Sequence, residues 1–90
     1  MEPIMDVGKM KKLIITVAQT GGLHGKSVNP AIPEQPDEIG RSAHDCYNAG
    51  ASVCHIHARD KQGYSTGDLA VYDEILSEIR SRCPILTQVG

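Results

Sequence analysis

The sequence predicts an α/β domain in which strands and helices alternate in the order β-α-β-α-β. Three short apolar runs, over residues 13–18, 51–57 and 85–89, have the aliphatic and β-branched character of buried strands. The two segments between them, 36–50 and 68–82, carry apolar residues at helical spacing. Because the chain has no Phe and no Trp, its core must use Ile, Leu, Val and Ala, which suits parallel strands covered by helices.

The first strand, residues 13–18, follows an N-terminal tail at residues 1–11 and is predicted to be buried on both faces, because its apolar run is continuous. Thr20, Gly21 and Gly22 end this strand region. The paired glycines suit either a simple tight turn or a close approach of the backbone to a ligand.

Residues 23–35 form a long loop stiffened by prolines. Loops of this length are uncommon in compact domains unless they bind something or cover a site. His24 and Lys26 are candidates to face an anionic substrate. Both also fit the role of plain solvated loop residues, and for Lys26 that interpretation is preferred.

The two helices carry recognisable start and stop signals. Pro36 suits the first position of a helix, and Gly50 is predicted to close this first helix as a left-handed cap. Gly40 costs about 1 kcal/mol relative to alanine inside a helix, unless close packing requires it. Asp68 is predicted to cap the second helix, which ends before Pro84 and the third strand.

The second strand ends in two histidines, His55 and His57, separated by one residue. Alternate strand residues share a face, so the Cα atoms of this pair lie roughly 6.6 Å apart. Two imidazoles at that spacing can reach one metal ion through Zn–N bonds of about 2.0–2.1 Å. Cys54 and Ile56 point to the other face. The alternative is a pair of hydrogen-bonded core or surface histidines.

The position of the histidine pair favours a ligand site. It lies at the carboxyl end of a strand, where α/β proteins bind their ligands. Arg59 and Asp60 follow at the same end. They are equally suited to binding substrate and to pairing with each other or with a neighbouring loop.

Composition excludes several classes of partner. A net charge of −2 and a pI near 6.0 provide no basic field for nucleic acid. No apolar run approaches the roughly 18 residues of a membrane span. Three cysteines without CxxC spacing indicate a reducing, cytoplasmic setting. A third strand with no covering helix after it suggests that these 90 residues are the N-terminal part of a longer α/β chain.

Several short motifs together resemble the β-keto acid cleavage enzymes, whose best-known activity is 3-keto-5-aminohexanoate cleavage. The matching positions are residues 16–22, Asn29-Pro30-Ala31-Ile32-Pro33, residues 36–39, 49–51 and 55–60, Gly63, Asp68 and Tyr72. The resemblance implies a (β/α)₈ TIM barrel over residues 12–90, truncated in or after the third strand, and a homotetramer when full length. It also implies a reaction of a β-keto acid with acetyl-CoA, giving acetoacetate and a new acyl-CoA.

The resemblance further implies a zinc ion with His55 and His57 as two of its ligands. The third ligand in the family is a glutamate on a late strand, and the catalytic residues are also expected beyond residue 90. The predicted substrate contacts are Thr20, Gly21, Gly22, His24, Asn29 and Arg59.

The chain departs from the amino-substrate members of the family in the first loop. Those members carry a carboxylate early in that loop to meet the substrate ammonium, where this chain has Leu23 and His24. An amino keto acid is therefore not expected. Two other interpretations remain open: another metal-dependent TIM-barrel enzyme, such as a hydrolase, and an inactive truncated product or small binding module.

Overall fold

A computed structural model describes residues 12–89, which form a three-stranded parallel sheet and two helices. The elements are β1 (Thr16–Val17), α1 (Pro36–Asn48), β2 (Val53–Ile56), α2 (Leu69–Arg80) and β3 (Leu86–Val89). The strand order is β1-β2-β3, and both pairings are parallel. The predicted α/β alternation is confirmed. The predicted tail at residues 1–11 lies outside the described residues.

The core lies between the helices and one face of the sheet. Along β2, Cys54 and Ile56 are fully buried, whereas His55 is half-exposed on the other face. Side chains at alternate strand positions point to opposite faces, so one face of β2 packs against α1 and α2. The buried cluster consists of Ile39, Ala43, Ala51, Cys54, Ile56, Ala58, Ile75, Ile79, Cys83 and Ile85.

The prediction that the first strand is buried on both faces was wrong. Regular pairing covers Thr16–Val17 alone, and Leu13 and Ile14 are 77% and 73% exposed. The reason is that β1 is an edge strand of the described sheet, paired with β2 on one side. Ile15 extends this pairing slightly, since its carbonyl accepts hydrogen bonds from Ser52 and Val53.

The capping residues predicted from the sequence, Asp68 and Gly50, lie at the helix ends in the structure. The Asp68 carboxylate accepts a hydrogen bond from the Ala70 amide at 2.9 Å and caps α2. Gly50 follows α1 with a φ of +113°, in the left-handed region that favours glycine. At the start of α1, the Glu38 carboxylate accepts from the Gln35 amide at 3.1 Å. Within residues 12–89, no helix is both long and apolar enough to cross a membrane.

At Gly40, α1 lies close against α2. A Cβ atom built on Gly40 would lie 2.9 Å from the Glu78 Cβ and 3.1 Å from the Glu78 backbone carbonyl carbon. Both distances are shorter than ordinary van der Waals contact, and the second atom belongs to backbone that cannot rotate away. Close packing of the two helices therefore requires a residue without a side chain at position 40, which explains the glycine inside α1.

We expect Gly40→Ala to lower the free energy of unfolding by about 1–3 kcal/mol, the usual cost of overpacking. This is opposite in sign to the roughly 1 kcal/mol gain that alanine brings to an open helix position. Gly67→Ala is the control, because nothing lies within 4 Å of a Cβ atom at Gly67. Urea unfolding followed by circular dichroism measures both changes. An alanine variant at Gly40 more stable than the parent would contradict the close approach.

Candidate functional site

The two histidine rings lie together on the sheet face opposite the buried cluster. The centroids of His55 and His57 are 4.9 Å apart, and their planes meet at 69°. Two imidazoles bound to one tetrahedral zinc through bonds of about 2.0–2.1 Å have ring centres about 5 Å apart. The spacing of the pair is therefore compatible with two ligands of one metal ion.

A complete metal site is not formed by residues 12–89. Among them, no group of three or more His, Cys, Asp or Glu side chains could hold a metal ion. Cys54 is directed to the opposite face, and its Sγ donates a hydrogen bond to the Gln19 Oε1 at 3.0 Å. Burial raises the pKa of the Cys54 thiol, so it stays protonated at neutral pH and is unsuited to metal binding.

A third polar side chain reaches the histidine pair from β3. Parallel pairing sets His55 opposite Gln88, and the His55 Nδ1 lies 3.1 Å from the Gln88 Oε1. The sequence did not identify Gln88 as a site residue, because it follows His55 by 33 positions. The signal that could have found it is the register of β2 against β3.

The loop after β1 lies beside the second histidine. A Cβ atom built on Gly22 would be 3.7 Å from the His57 Cε1, so the backbone passes close to that ring. Gly21 has a φ of +69°, which turns the chain at this point. Thr20 is buried, and its Oγ1 donates to the Pro33 carbonyl at 2.6 Å. Gly22, one of the predicted substrate contacts, therefore lies against the ring of His57.

Arg59 joins two loops at the carboxyl end of the sheet. Its side chain is 5% exposed. Nη2 donates to the His24 carbonyl at 2.8 Å and to the Gly21 carbonyl at 3.3 Å, and Nη1 donates to the Gly63 carbonyl at 2.9 Å. Of the two roles considered for Arg59, pairing with neighbouring loops is thus observed. Its substrate contact remains a prediction.

Glu34 is a buried carboxylate that the sequence did not reveal. It is 7% exposed, and its Oε1 accepts a short hydrogen bond from the Lys26 amide. A Cβ atom on Gly25 would lie 2.6 Å from Glu34 Oε1, and one on Gly63 would lie 2.8 Å from Oε2. Both glycines therefore leave room for the carboxylate in this position. No local pattern distinguishes a buried Glu in a loop from a solvated one.

Glu34 and Arg59 border an open cavity of about 380 Å³ between the two loops. It is lined by Leu23, Gly25, Lys26, Ser27, Glu34, Arg59, Gln62, Gly63 and Tyr64.

The remaining predicted loop residues differ in their surroundings: Asn29 contacts its own loop, His24 is exposed and Lys26 pairs with α1. The Asn29 Oδ1 accepts from the Ala31 amide at 3.0 Å, and the His24 side chain is exposed. Lys26 pairs with Glu38 at 2.7 Å, and the hydrogen bond from Lys26 holds the pKa of the Glu38 carboxyl below its usual range. Lys26 is thus partly exposed and ion-paired with Glu38 rather than plainly solvated, and its role toward an anionic substrate stays a prediction.

Comparison with known proteins shows one consistent similarity. A sequence profile of the family "beta-keto acid cleavage enzyme" matches residues 12–90. The chain is 43% identical over 75 residues to a 3-keto-5-aminohexanoate cleavage enzyme of Fusobacterium nucleatum, a match that covers 83% of this chain and 28% of that protein.

Two further relatives carry different substrate names. The chain is 42% identical over 74 residues to a 3,5-dioxohexanoate:acetyl-CoA acetone transferase of Paraburkholderia graminis, covering 81% of this chain and 24% of that protein. It is 36% identical over 78 residues to a 3-oxoadipate:acetyl-CoA acetyltransferase of Cupriavidus necator, a match that covers 86% of this chain and 28% of that protein. The chain thus spans about a quarter of the length of the curated relatives it matches.

Proposed function

The chain belongs to the beta-keto acid cleavage enzyme family, and from that premise we propose that it forms the first part of a zinc-dependent acyltransferase. The enzyme would convert a β-keto acid and acetyl-CoA into acetoacetate and a new acyl-CoA. The observation that carries this proposal is the pair His55 and His57, with ring centroids 4.9 Å apart at the carboxyl end of β2. The names of the relatives support the reaction class, since two of them are acetyl-CoA transferases.

In this proposal His55 and His57 supply two of the three protein ligands that a catalytic zinc ion usually has. Zinc, when bound, acts as a Lewis acid on the keto carbonyl. The two rings are held by strand backbone, and Gly22 keeps the space beside His57 free of a side chain. The third ligand and the acid–base residues would come from parts of the barrel outside the described residues.

The (β/α)₈ barrel is part of the same proposal. The sheet face that carries the histidines also carries apolar residues, among them Leu86, which is 67% exposed. In a closed barrel this face would line the interior, where branched apolar side chains pack. The homotetramer implied by the family resemblance and a cytoplasmic setting complete the proposal. The free thiols of Cys46, Cys54 and Cys83 suit that reducing compartment.

The substrate is proposed to lack an amino group. Leu23 is 88% exposed at the loop position where amino-substrate members carry a carboxylate. Without that carboxylate, a substrate ammonium would lose its partner there. A β-keto acid with a neutral or acidic substituent in place of the ammonium group is therefore favoured over 3-keto-5-aminohexanoate.

The test is an assay of acetoacetate formation by the protein expressed from its whole natural reading frame. We expect acetoacetate to appear only when acetyl-CoA and a β-keto acid are both present, with about one zinc per chain by elemental analysis. Chelation should abolish turnover, and added zinc should restore it. Hydrolysis of esters or amides without acetoacetate would instead assign the chain to another metal-dependent enzyme. Full turnover by a zinc-free protein would refute the metal assignment.

A further inference from the structure

We propose that Gln88 is a positioning residue, which fixes His55 in the tautomer with its proton on Nδ1 and thereby reserves Nε2 for a metal ion. This inference rests on the proposed function and adds to it a residue from the neighbouring strand. The contact that carries it joins the His55 Nδ1 to the Gln88 Oε1 at 3.1 Å.

The chemistry of the two groups determines where the proton lies. An amide oxygen only accepts hydrogen bonds, so the His55 nitrogen that faces it must donate. A neutral imidazole carries one N–H, so a proton on Nδ1 leaves Nε2 with its lone pair. A metal ion binds that lone pair, since metal ligation requires a neutral imidazole nitrogen without a proton.

The contact is held by backbone pairing rather than by a flexible loop. His55 and Gln88 are direct partners in the parallel register of β2 and β3, which extends over four residue pairs from Val53↔Leu86 to Ile56↔Val89. Because a shift of one residue would send Gln88 to the other face of the sheet, the register itself specifies the contact.

A hydrogen bond of this kind is expected for a ligating histidine. Metal-bound histidines usually donate their other ring N–H to a carboxylate, carbonyl or water, which fixes the ring orientation and raises the basicity of the ligating nitrogen. The competing interpretation is an incidental hydrogen bond on an exposed sheet face. The two differ in whether the Gln88 acceptor changes the tautomer of His55 and its affinity for zinc.

The first measurement is the His55 tautomer in metal-free protein, read from long-range ¹H–¹⁵N correlations about two pH units above the usual histidine pKa of ~6.5. We expect the Nδ1–H form in the parent and in Gln88→Glu, which keeps an acceptor oxygen. We expect its loss in Gln88→Met, which removes the acceptor at similar volume. Gln62→Met is the matched control, because Gln62 is an exposed turn residue. His44 on α1 serves as an internal reference in every spectrum.

The second measurement is zinc affinity by competition with a chromophoric chelator. We expect Gln88→Met to weaken binding by about 10–100-fold, the usual effect of losing a partner of a metal ligand. Gln88→Glu and Gln62→Met should stay within a few-fold of the parent. Circular dichroism melts confirm that the variants are folded.

An Nε2–H tautomer in the parent, or an Nδ1–H tautomer that survives in folded Gln88→Met, would overturn the inference. Equal zinc affinity of Gln88→Met and the parent would overturn it as well. Failure of the proposed function is distinguishable: a protein that forms no acetoacetate refutes the reaction, yet the tautomer and the zinc affinity still decide the role of Gln88.

Discussion

Replacing His55 or His57 by alanine is expected to abolish the proposed zinc binding and to lower the proposed turnover by on the order of 10³-fold. Lewis-acid stabilisation by a metal ion contributes several kcal/mol to the transition state, and each 1.36 kcal/mol corresponds to a factor of ten in rate. Both rings are half-exposed, on the sheet face opposite the buried cluster. Their removal should therefore affect the metal far more than the free energy of unfolding.

The matched control is His44→Ala. His44 is a half-buried histidine on α1 whose ring contacts Asn48 at 3.3 Å. Its loss should leave zinc content and acetoacetate formation unchanged. Elemental analysis, kcat/KM and urea unfolding together separate loss of metal from loss of fold. If both His55→Ala and His57→Ala kept full activity, the assignment of the metal site would be wrong.

Arg59→Met is expected to destabilise the fold by on the order of 3 kcal/mol. The guanidinium donates to the carbonyls of Gly21, His24 and Gly63, and hydrogen bonds from charged donors contribute about 1.5–3 kcal/mol each. Methionine fills much of the same volume but donates nothing. The carbonyls lose these partners, and the loop after β1 loses its anchor to the turn after β2.

Two comparisons make this expectation specific. Arg41→Met removes an arginine whose side chain is 62% exposed and paired with Asp37, so its cost should stay below about 1 kcal/mol. Arg59→Lys keeps the charge but cannot donate in the same fork geometry, so it should recover only part of the loss. Urea unfolding measures all three variants.

Arg59 would have a different role if Arg59→Met raised KM and left the free energy of unfolding unchanged. That outcome would show that Arg59 contacts the substrate rather than holding the two loops together. We expect the reverse, because the side chain is 5% exposed and both of its terminal nitrogens already donate to backbone.

The amino-acid sequence by itself determined the features that depend on neighbours in the chain. Helix caps such as Asp68 and Gly50 act on backbone groups within a few residues, so their residue types suffice to place them. The common face of His55 and His57 follows from the two-residue period of a strand. The alternation of strands and helices likewise follows from the local spacing of apolar residues.

Only the tertiary structure decided the features that join distant segments. The partner of His55 is Gln88 because β2 and β3 pair in one particular register. Gly40 proved to be a packing requirement because α2 packs closely against α1 there, and the exposure of Leu13 follows from the edge position of β1. The physical reason is common to all three: a residue's type and its near neighbours set its conformation, whereas its contacts depend on which remote segment folds against it.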